Sequence, residues 1–389
     1  MPHSPSTEQY RQAAKEKFKA MTKDFAAFVW WRLGNSFDTM LDYFDHVDNS
    51  EAIAKTKAVV KQCETSLDSM GPTWPHTWFD DYGWWTISTL RAEVKSYLDA
   101  EAKAGCRNLR NVCWSRFTEN APYVWDRRQP GTFGDCQPAV SGGVWNQYWS
   151  GTSSDYPGPK EGDGKENGIQ NMPTNGLYLI AAERLALMAA QSGQPNPAWQ
   201  AAARGEFEFI YAWINDRTTP LWWKQGAAGA ALVRDWVGHY ADGTRTPGFQ
   251  DWAWTGDQGL ILGGLTAHMR MDLSPPRYQE MLDFAKELLT GARCCCLVDD
   301  GGLLKYATDY EHVPSNDTAD YQTGQGVFWR YVLDAWQSNA DLRTYLSTDE
   351  YGSFLRTNAD AALADADETN VDILSNQLAI LVAASVMLA

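Results

Sequence analysis

The sequence predicts an all-α protein whose single domain is an (α/α)6 barrel, a closed ring of six helical hairpins. Six segments are almost wholly apolar, and each follows a segment with a more amphipathic pattern. A helix that is apolar on every side must be buried, whereas an amphipathic helix can cover it from outside. We therefore predict one catalytic domain over residues 1–389. The apolar helices are predicted to start near Asn35, Asp80, Asn175, Asp257, Gln325 and Asn376.

The first hairpins show the pattern most clearly. Apolar residues recur at steps of three and four from Thr7 to Val29, which predicts an amphipathic helix. A turn at Gly34-Asn35-Ser36 is predicted to lead into an apolar helix from Phe37 to Phe44. Breakers at Gly71-Pro72 separate the next pair, and its second helix carries Gly83 to Tyr97. The other outer helices are predicted at Glu51 to Met70, Arg91 to Phe117, Pro197 to Asn215, Pro276 to Gly291 and Asp341 to Ala364.

One connection is much longer than the others. Residues 122–173 are rich in Gly and aromatic side chains and have no helical period. Loops of this length in compact domains are usually functional, so we expect this loop to contribute to a binding site.

Composition favours a neutral ligand. The chain has 389 residues, a formal net charge of -16, 19 Trp and 17 Tyr. Its negative charge repels nucleic acids and anionic membranes, whereas aromatic rings stack on the faces of sugars. The predicted partner is an oligo- or polysaccharide, with no nucleic acid and no membrane; the sequence predicts no particular oligomeric state.

No signal peptide or membrane-spanning segment is recognisable, so a cytoplasmic location is expected, or a secreted one if a leader has been removed. The seven Cys have no zinc-binding spacing, and no metal or cofactor is predicted. Reduced, mostly buried thiols are expected, with one or two disulfides as the alternative.

The stretch from Trp78 to Trp85 places Asp80 and Asp81 among five aromatic residues. Two adjacent buried carboxylates are costly, because each loses water and repels the other. Two such groups are what glycoside hydrolysis uses, one on the glycosidic oxygen and one on the anomeric carbon. The alternative is that the pair only opens a helix, since Asp is favoured at helix N-termini.

These residues resemble the aromatic-Asp-Asp motif of glycoside hydrolase family 76, the α-1,6-mannanase family. Further motifs agree in order along most of the chain from about Trp30. They are Gly142-Gly143-Val144-Trp145-Asn146, Asn175-Gly176-Leu177, Trp254-Thr255-Gly256-Asp257-Gln258-Gly259 and Gly324-Gln325-Gly326-Val327-Phe328. Two departures are an Asp at 257, where the family usually has Asn, and an apparent insertion at 151–167.

The resemblance implies a retaining glycosidase acting within α-1,6-mannan-type chains, with Asp80 as nucleophile and Asp81 as general acid and base. Successive Cα atoms lie about 3.8 Å apart, which is compatible with the roughly 5–5.5 Å between carboxyl groups in retaining enzymes. The predicted substrate-binding residues are Trp78, Tyr82, Trp84, Trp145, Asn146, Asn175, Trp254, Asp257, Gln258 and Gln325. Core packing is the alternative role for the aromatic residues, and helix capping for the polar ones.

Other functions remain open from the sequence. The same barrel is compatible with a transglycosidase, a sugar epimerase or an unsaturated-uronide hydrolase. A glycan-binding protein without catalytic activity is the alternative from a different class.

Overall fold

The structure, a computed structural model, describes most of the helical chain and parts of its connections. The described residues are 5–28, 30–70, 78–119, 143–144, 146, 168–215, 222–223, 229–239, 248–249, 253–271, 274–308, 318–365 and 368–389. Within them no helix combines the length and apolar character that a membrane span requires.

Helices make up nearly all of the described secondary structure. In chain order they are α1 (Thr7–Met21), α2 (Trp30–His46), α3 (Ala52–Met70), α4 (Phe79–Glu93), α5 (Ala100–Glu119), α6 (Met172–Gln191), α7 (Pro197–Asn215), α8 (Thr255–Met269), α9 (Pro275–Cys294), α10 (Thr318–Tyr321), α11 (Gly324–Ser338), α12 (Ala340–Leu346), α13 (Asp349–Ala364) and α14 (Val371–Met387).

Six of these helices form a closed inner ring. Helix α2 packs against α4, α4 against α6, α6 against α8, α8 against α11, α11 against α14, and α14 returns to α2. The remaining long helices cover this ring from outside: α1 lies on α14, α5 on α4, α7 on α6 and α9 on α8. The predicted (α/α)6 barrel is therefore confirmed.

Helices α6 and α14 begin earlier than predicted, because Asn175 and Asn376 are not their caps. Asn171 accepts the Thr174 amide at 3.1 Å and opens α6, and Asn370 accepts the Asp372 amide at 2.9 Å and opens α14. Asn175 and Asn376 therefore lie about one turn inside their helices. The order of the helices was predicted correctly, but these starting positions were wrong.

The predicted turn at Gly34-Asn35-Ser36 is also wrong, since all three residues lie inside α2. Gly34 faces the Trp85 ring, where an added Cβ would come within 3.0 Å, so close packing explains this glycine. The side-chain oxygen of Asn35 accepts a hydrogen bond from Arg330 at 2.6 Å. A polar or small residue at a buried contact was mistaken for a helix breaker.

Three predicted outer helices also need correction. The helix predicted from Thr7 to Val29 ends at Met21 and is followed by a 3-10 turn at Phe25–Ala27. Arg91 belongs to the end of α4, where it pairs with Asp38 of α2 at 2.7 Å. The segment from Asp341 to Ala364 divides into α12 and α13.

Short strands, which the sequence analysis did not predict, precede α6 and α8. Strands β1 (Gly168–Asn171), β4 (Trp236–His239) and β5 (Gly248–Phe249) form one antiparallel sheet. Strands β2 (Trp222–Trp223) and β3 (Leu232–Val233) form a second. Most of the long loop at 122–173 lies outside the described residues.

Close contact between inner helices can be tested at Gly259. An alanine Cβ at this position of α8 would lie 2.7 Å from the Phe328 Cα of α11, where only backbone movement relieves the clash. We expect Gly259→Ala to lower the free energy of unfolding by about 1–3 kcal/mol, measured by chemical denaturation.

Gly352→Ala is the matched control, because Gly352 lies within α13 and an added Cβ meets no atom within 4 Å. That change should be neutral or raise stability by up to about 1 kcal/mol. Equal effects of the two substitutions would show that the α8–α11 contact is not close.

Candidate active site

The N-terminal ends of several inner helices meet at one end of the ring. Arg32 in the first turn of α2 pairs with Asp372 of α14 at 2.8 Å and with Asp320 of α10 at 2.6 Å. Asp320 in turn lies close enough to Asp80 of α4 to raise its pKa. Helix N-termini carry partial positive charge, and acidic residues gather at this end.

Asp80 and Asp81 lie in the first turn of α4. The residue that precedes the helix is Trp78, whose side chain makes no capping hydrogen bond. Asp81 is buried, and one oxygen of Asp80 is shut off from solvent without a hydrogen-bond partner. Neither Asp occupies the capping position, but both lie in the first turn, where acidic residues also favour the start of a helix.

The surroundings of the pair favour protonation. Burial is the main cause that raises the pKa of Asp80 to about 7; the charges of Asp320 and Asp235 act in the same direction, and the backbone amides of Asp80 and Asp81 act against them. Burial also raises the pKa of Asp81 well above its ordinary value, with the charge of Asp80 as the next cause. One proton can thus be shared by the two carboxyl groups near neutral pH.

Asp235 and Asp320 belong to this acidic site, although the sequence analysis did not identify them. Asp235 follows β3 and accepts a hydrogen bond from the Tyr321 hydroxyl. Each is followed by an aromatic residue, Trp236 and Tyr321, as Asp81 is followed by Tyr82. Asp is followed by an aromatic residue at several other positions, among them Asp283 on α9, so the sequence offers no specific signal for these two acids.

Two of the predicted aromatic ligands fit poorly. Trp84 is only 2% exposed and stacks on Trp31 with ring centres 6.0 Å apart. The Trp254 ring is confined by two glycines, since a Cβ at Gly256 or Gly324 would come within 2.4 Å of it. Both rings therefore belong to the core, which corrects their predicted role in binding.

Tyr82 and Trp78 differ in their accessibility. Tyr82 is buried and packs edge-on against Trp30, with ring centres 5.2 Å apart. Trp78 is 36% exposed at the start of α4, directly before the acidic pair, and is the described ring best placed to stack on a ligand. Trp145 lies outside the described residues.

Asn175 and Gln258 have structural roles, which corrects the prediction that they bind substrate. Both polar atoms of the Asn175 side chain are used. Its oxygen accepts a hydrogen bond from the Val144 amide at 2.7 Å, and its nitrogen donates to the Val144 and Asn171 carbonyls. Gln258 likewise accepts the Val233 amide at 2.9 Å and donates to the Val233 carbonyl at 2.8 Å. Each side-chain amide therefore links an inner helix to a segment outside it, Asn175 of α6 to Val144 and Gln258 of α8 to Val233.

Gln325 and Asn146 take part in contacts between the inner helices and the segments that connect them. Gln325 donates to the Leu304 carbonyl, which fixes the segment before α10. The carbonyl of Asn146 accepts the Phe79 amide at 2.7 Å, so this residue is held against the start of α4. Its buried side-chain oxygen has no hydrogen-bond partner, which leaves Asn146 as a candidate ligand beside the acidic pair.

Gly143 explains how the loop reaches this position. Its φ of 78° lies in the left-handed region, and a Cβ there would come within 2.7 Å of the Asn175 oxygen. A glycine is therefore required for the loop to pass over α6 and deliver Asn146 to α4.

Asp257 is completely buried in the first turn of α8, close to Asp235. Burial raises its pKa well above the ordinary value, and Asp235 raises it further. It is a neighbour of the acidic site, although its side chain is not accessible to a ligand.

The cysteines and other potential metal ligands show neither a metal site nor a disulfide within the part of the chain that the structure describes. The described residues contain no group of three or more His, Cys, Asp or Glu arranged to hold a metal ion. The described cysteines are all free, three of them buried in the outer layer and three in the run at 294–296.

Together, the fold and these residues define a closed helical barrel with an acidic, partly aromatic site at the N-terminal ends of its inner helices. Neither a scan against protein-family models nor a search of curated proteins finds a match to the sequence. Similar solved structures do exist.

The GH76A α-1,6-mannanase from Salegentibacter sp. HEL1_6 is 16% identical, with a TM-score of 0.66 over 97% of this chain and 99% of that one. Dfg5 from Chaetomium thermophilum, solved with glucosamine, is 17% identical, with a TM-score of 0.65 over 100% of this chain and 92% of that one. An unsaturated glucuronyl hydrolase specific for heparin is 10% identical, with a TM-score of 0.55 over 97% of each chain.

These likenesses confirm the barrel that the resemblance to family 76 implied. The neighbours include a mannanase and a glucuronyl hydrolase, so the shared fold does not by itself define the substrate. The residues at the site therefore have to distinguish between the possible functions.

The raised pKa of Asp80 predicts a pH-dependent effect on stability. A carboxyl whose folded-state pKa exceeds its unfolded value binds more protons in the folded state, so its contribution is lost as pH rises from about 4 to about 7. We therefore expect Asp80→Asn to stabilise the protein at pH 8 relative to wild type by about 1 kcal/mol or more, and to have a smaller effect at pH 4.5.

Asp283→Asn, which removes an exposed acid from α9, is the control and should have the same effect at both pH values. Chemical denaturation of the three proteins at the two pH values gives the comparison. An Asp80→Asn effect that is independent of pH would contradict the raised pKa.

Proposed function

We propose that this protein is a retaining glycoside hydrolase that cleaves α-linked glycans, with α-1,6-mannan-type chains as its substrate class and internal cleavage as its mode. The observation that carries the proposal is the adjacent pair Asp80 and Asp81, buried in one helical turn with both pKa values raised. A carboxylate and a carboxylic acid side by side are the two groups that retaining glycosidases require.

Burial raises the pKa values of both residues, and the charge of Asp80 adds to the effect on Asp81. We assign the shared proton to Asp81, as the resemblance to family 76 implies. Asp80 is then the ionised member, available to attack the anomeric carbon. Asp81 is the acid that protonates the leaving glycosidic oxygen.

The chemistry balances over two steps. In the first, the Asp80 oxygen forms a bond to the anomeric carbon while the glycosidic C–O bond breaks and the Asp81 proton goes to the leaving oxygen. In the second, the Asp81 carboxylate takes a proton from water, whose oxygen attacks the anomeric carbon and releases Asp80. Two inversions give overall retention of configuration.

The Salegentibacter neighbour supports the same use of an Asp pair. An inactive variant of that α-1,6-mannanase, in which two adjacent Asp residues are replaced by Asn, was solved with α-1,6-mannotriose. This chain also has an adjacent pair of Asp residues in a barrel of the same fold. An α-1,6-linked mannoside is therefore the first substrate to test.

Among the described residues, neither the charges at the site nor the positions of the histidines favour the uronide and epimerase alternatives. A uronate carries a negative charge, yet the Arg32 terminal nitrogens are already paired with Asp320 and Asp372. Epimerases that use histidine need it at the site. His46 and His268, the histidines whose side chains are described, lie at the opposite ends of α2 and α8.

Product analysis tests the proposal directly. Wild-type protein is incubated with α-linked manno-, gluco- and arabino-oligosaccharides, and NMR follows the anomeric configuration of the fresh product. We expect cleavage of the α-1,6-mannosides with retained configuration, and a loss of rate of at least about 1,000-fold in Asp80→Asn and Asp81→Asn.

Asp283→Asn is again the control and should cleave at the wild-type rate. Full activity in either site variant, or inversion of configuration, would contradict the assigned mechanism. Binding of an oligosaccharide without cleavage by wild type would instead favour a glycan-binding protein.

The exposed ring of Trp78 supports a prediction about substrate binding. Trp78→Ala removes a stacking surface and should raise KM about tenfold or more with a smaller change in kcat, because stacking holds ground state and transition state alike. Trp78→Phe, which keeps an aromatic face, should recover most of the loss. Steady-state kinetics on one mannoside compares the three proteins, and equal KM values would exclude stacking at this position.

A further inference from the structure

Asp257 has an environment unlike that of the other acids at the barrel end. It is completely buried, and both oxygens of its carboxyl group lack a hydrogen-bond donor with acceptable geometry. Among the described residues it is the one acid for which this holds at both oxygens. An ionised carboxylate without donors would be very costly there.

The polar groups around Asp257 offer it no counter-charge. Its side-chain neighbour is Asp235, a second acid, and the Trp254 amide at the start of α8 lowers its pKa only weakly by comparison. The corresponding turns of α6 and α11 carry the neutral residues Asn175 and Gln325. Asp235 in turn lies close enough to Asp80 for its charge to raise the pKa of that residue.

Asp235 has a second contact that fixes its position. The Tyr321 hydroxyl donates to one of its oxygens, and the Trp254 indole donates to the Tyr321 carbonyl at 2.9 Å. Asp235 therefore accepts a hydrogen bond from Tyr321 of α10 and also lies beside Asp257 of α8. Its charge acts on Asp80 of α4, so its position matters to the acidic pair.

We propose that Asp257 keeps its proton in the folded protein and donates it in a hydrogen bond to Asp235, so that Asp257 is a positioning residue for the acidic site. The proton stays on the fully buried partner, and the charge stays on Asp235. Two donors, Tyr321 and Asp257, then hold Asp235 beside Asp80.

This arrangement depends on pH. Loss of the Asp257 proton removes the hydrogen bond and places two repelling carboxylates in contact. Asp235 is then no longer held by both donors, and the alkaline limb of activity should follow the titration of Asp257. An Asn at this position, which is usual in the family that the sequence resembles, would donate its amide hydrogen at every pH.

Infrared difference spectroscopy tests the proton without any substrate. Spectra of wild type and Asp257→Asn are subtracted at pH 7, where a protonated carboxyl group has a carbonyl stretch that a carboxylate lacks. We expect the wild type to show this band and Asp257→Asn to lose it, whereas Asp283→Asn loses only the bands of an ionised carboxylate. Loss of carboxylate bands alone from Asp257→Asn would overturn the proposal.

Stability provides a second readout that is also independent of activity. Since the folded state retains a proton that the unfolded state releases, the folded-to-unfolded ratio of wild type should fall relative to Asp257→Asn by up to about tenfold per pH unit above pH 5. Chemical denaturation between pH 5 and pH 8 measures this difference. Parallel pH dependences of the two proteins would also overturn the proposal.

The kinetic consequence rests on the proposed glycosidase function and is tested after the proton itself. If wild type cleaves an α-1,6-mannoside, Asp257→Asn should keep its rate at pH 5 and extend activity by about one pH unit or more on the alkaline side. Asp257→Ala, which cannot donate, should lose activity at every pH. An unchanged alkaline limb in Asp257→Asn would remove the positioning role, whereas absence of cleavage by wild type would contradict only the glycosidase function.

Discussion

The structure depends on one constraint, which is that the helices of the inner ring are buried on nearly every side. A polar group on such a helix cannot use water and needs a partner within the protein. Asn175, Gln258 and Asn376 meet this need with backbone groups, and in doing so they tie the connections to the ring. The polar positions that begin the inner helices therefore hold the barrel end together.

The buried acids Asp38, Asp81 and Asp257 differ in the sign of the charges beside them, and their pKa values differ in direction. Asp38 is fully buried, yet Arg91, Arg330 and Arg184 outweigh the effect of burial and hold its pKa below the ordinary value. Asp81 and Asp257 are as deeply buried, but their charged neighbours are other acids, and their pKa values rise. Burial is common to these acids, so the opposite charges beside Asp38 and the like charges beside Asp81 and Asp257 account for the difference between them.

Much of the fold could be predicted because periodicity reflects burial directly. Apolar segments alternating with amphipathic ones gave the six hairpins and their order. The role of a single polar residue was harder to predict, since Asn175 in an apolar helix is compatible with capping, substrate binding or a tie to a loop. The sequence does not show which group a side chain contacts in the fold. For this reason Trp84 was assigned to the binding site, although it packs in the core.

Two acids of the site were not identified from the sequence, for one common reason. Asp235 and Asp320 lie on connections distant in sequence from Asp80, and only closure of the ring brings them to it. Arg32 then pairs with Asp320 and Asp372, which leaves the site with an excess of negative charge. Among the described residues, that excess raises the pKa of Asp80 and would oppose an anionic ligand, so the same carboxylates affect both the protonation of the Asp pair and the charge of a ligand bound beside it.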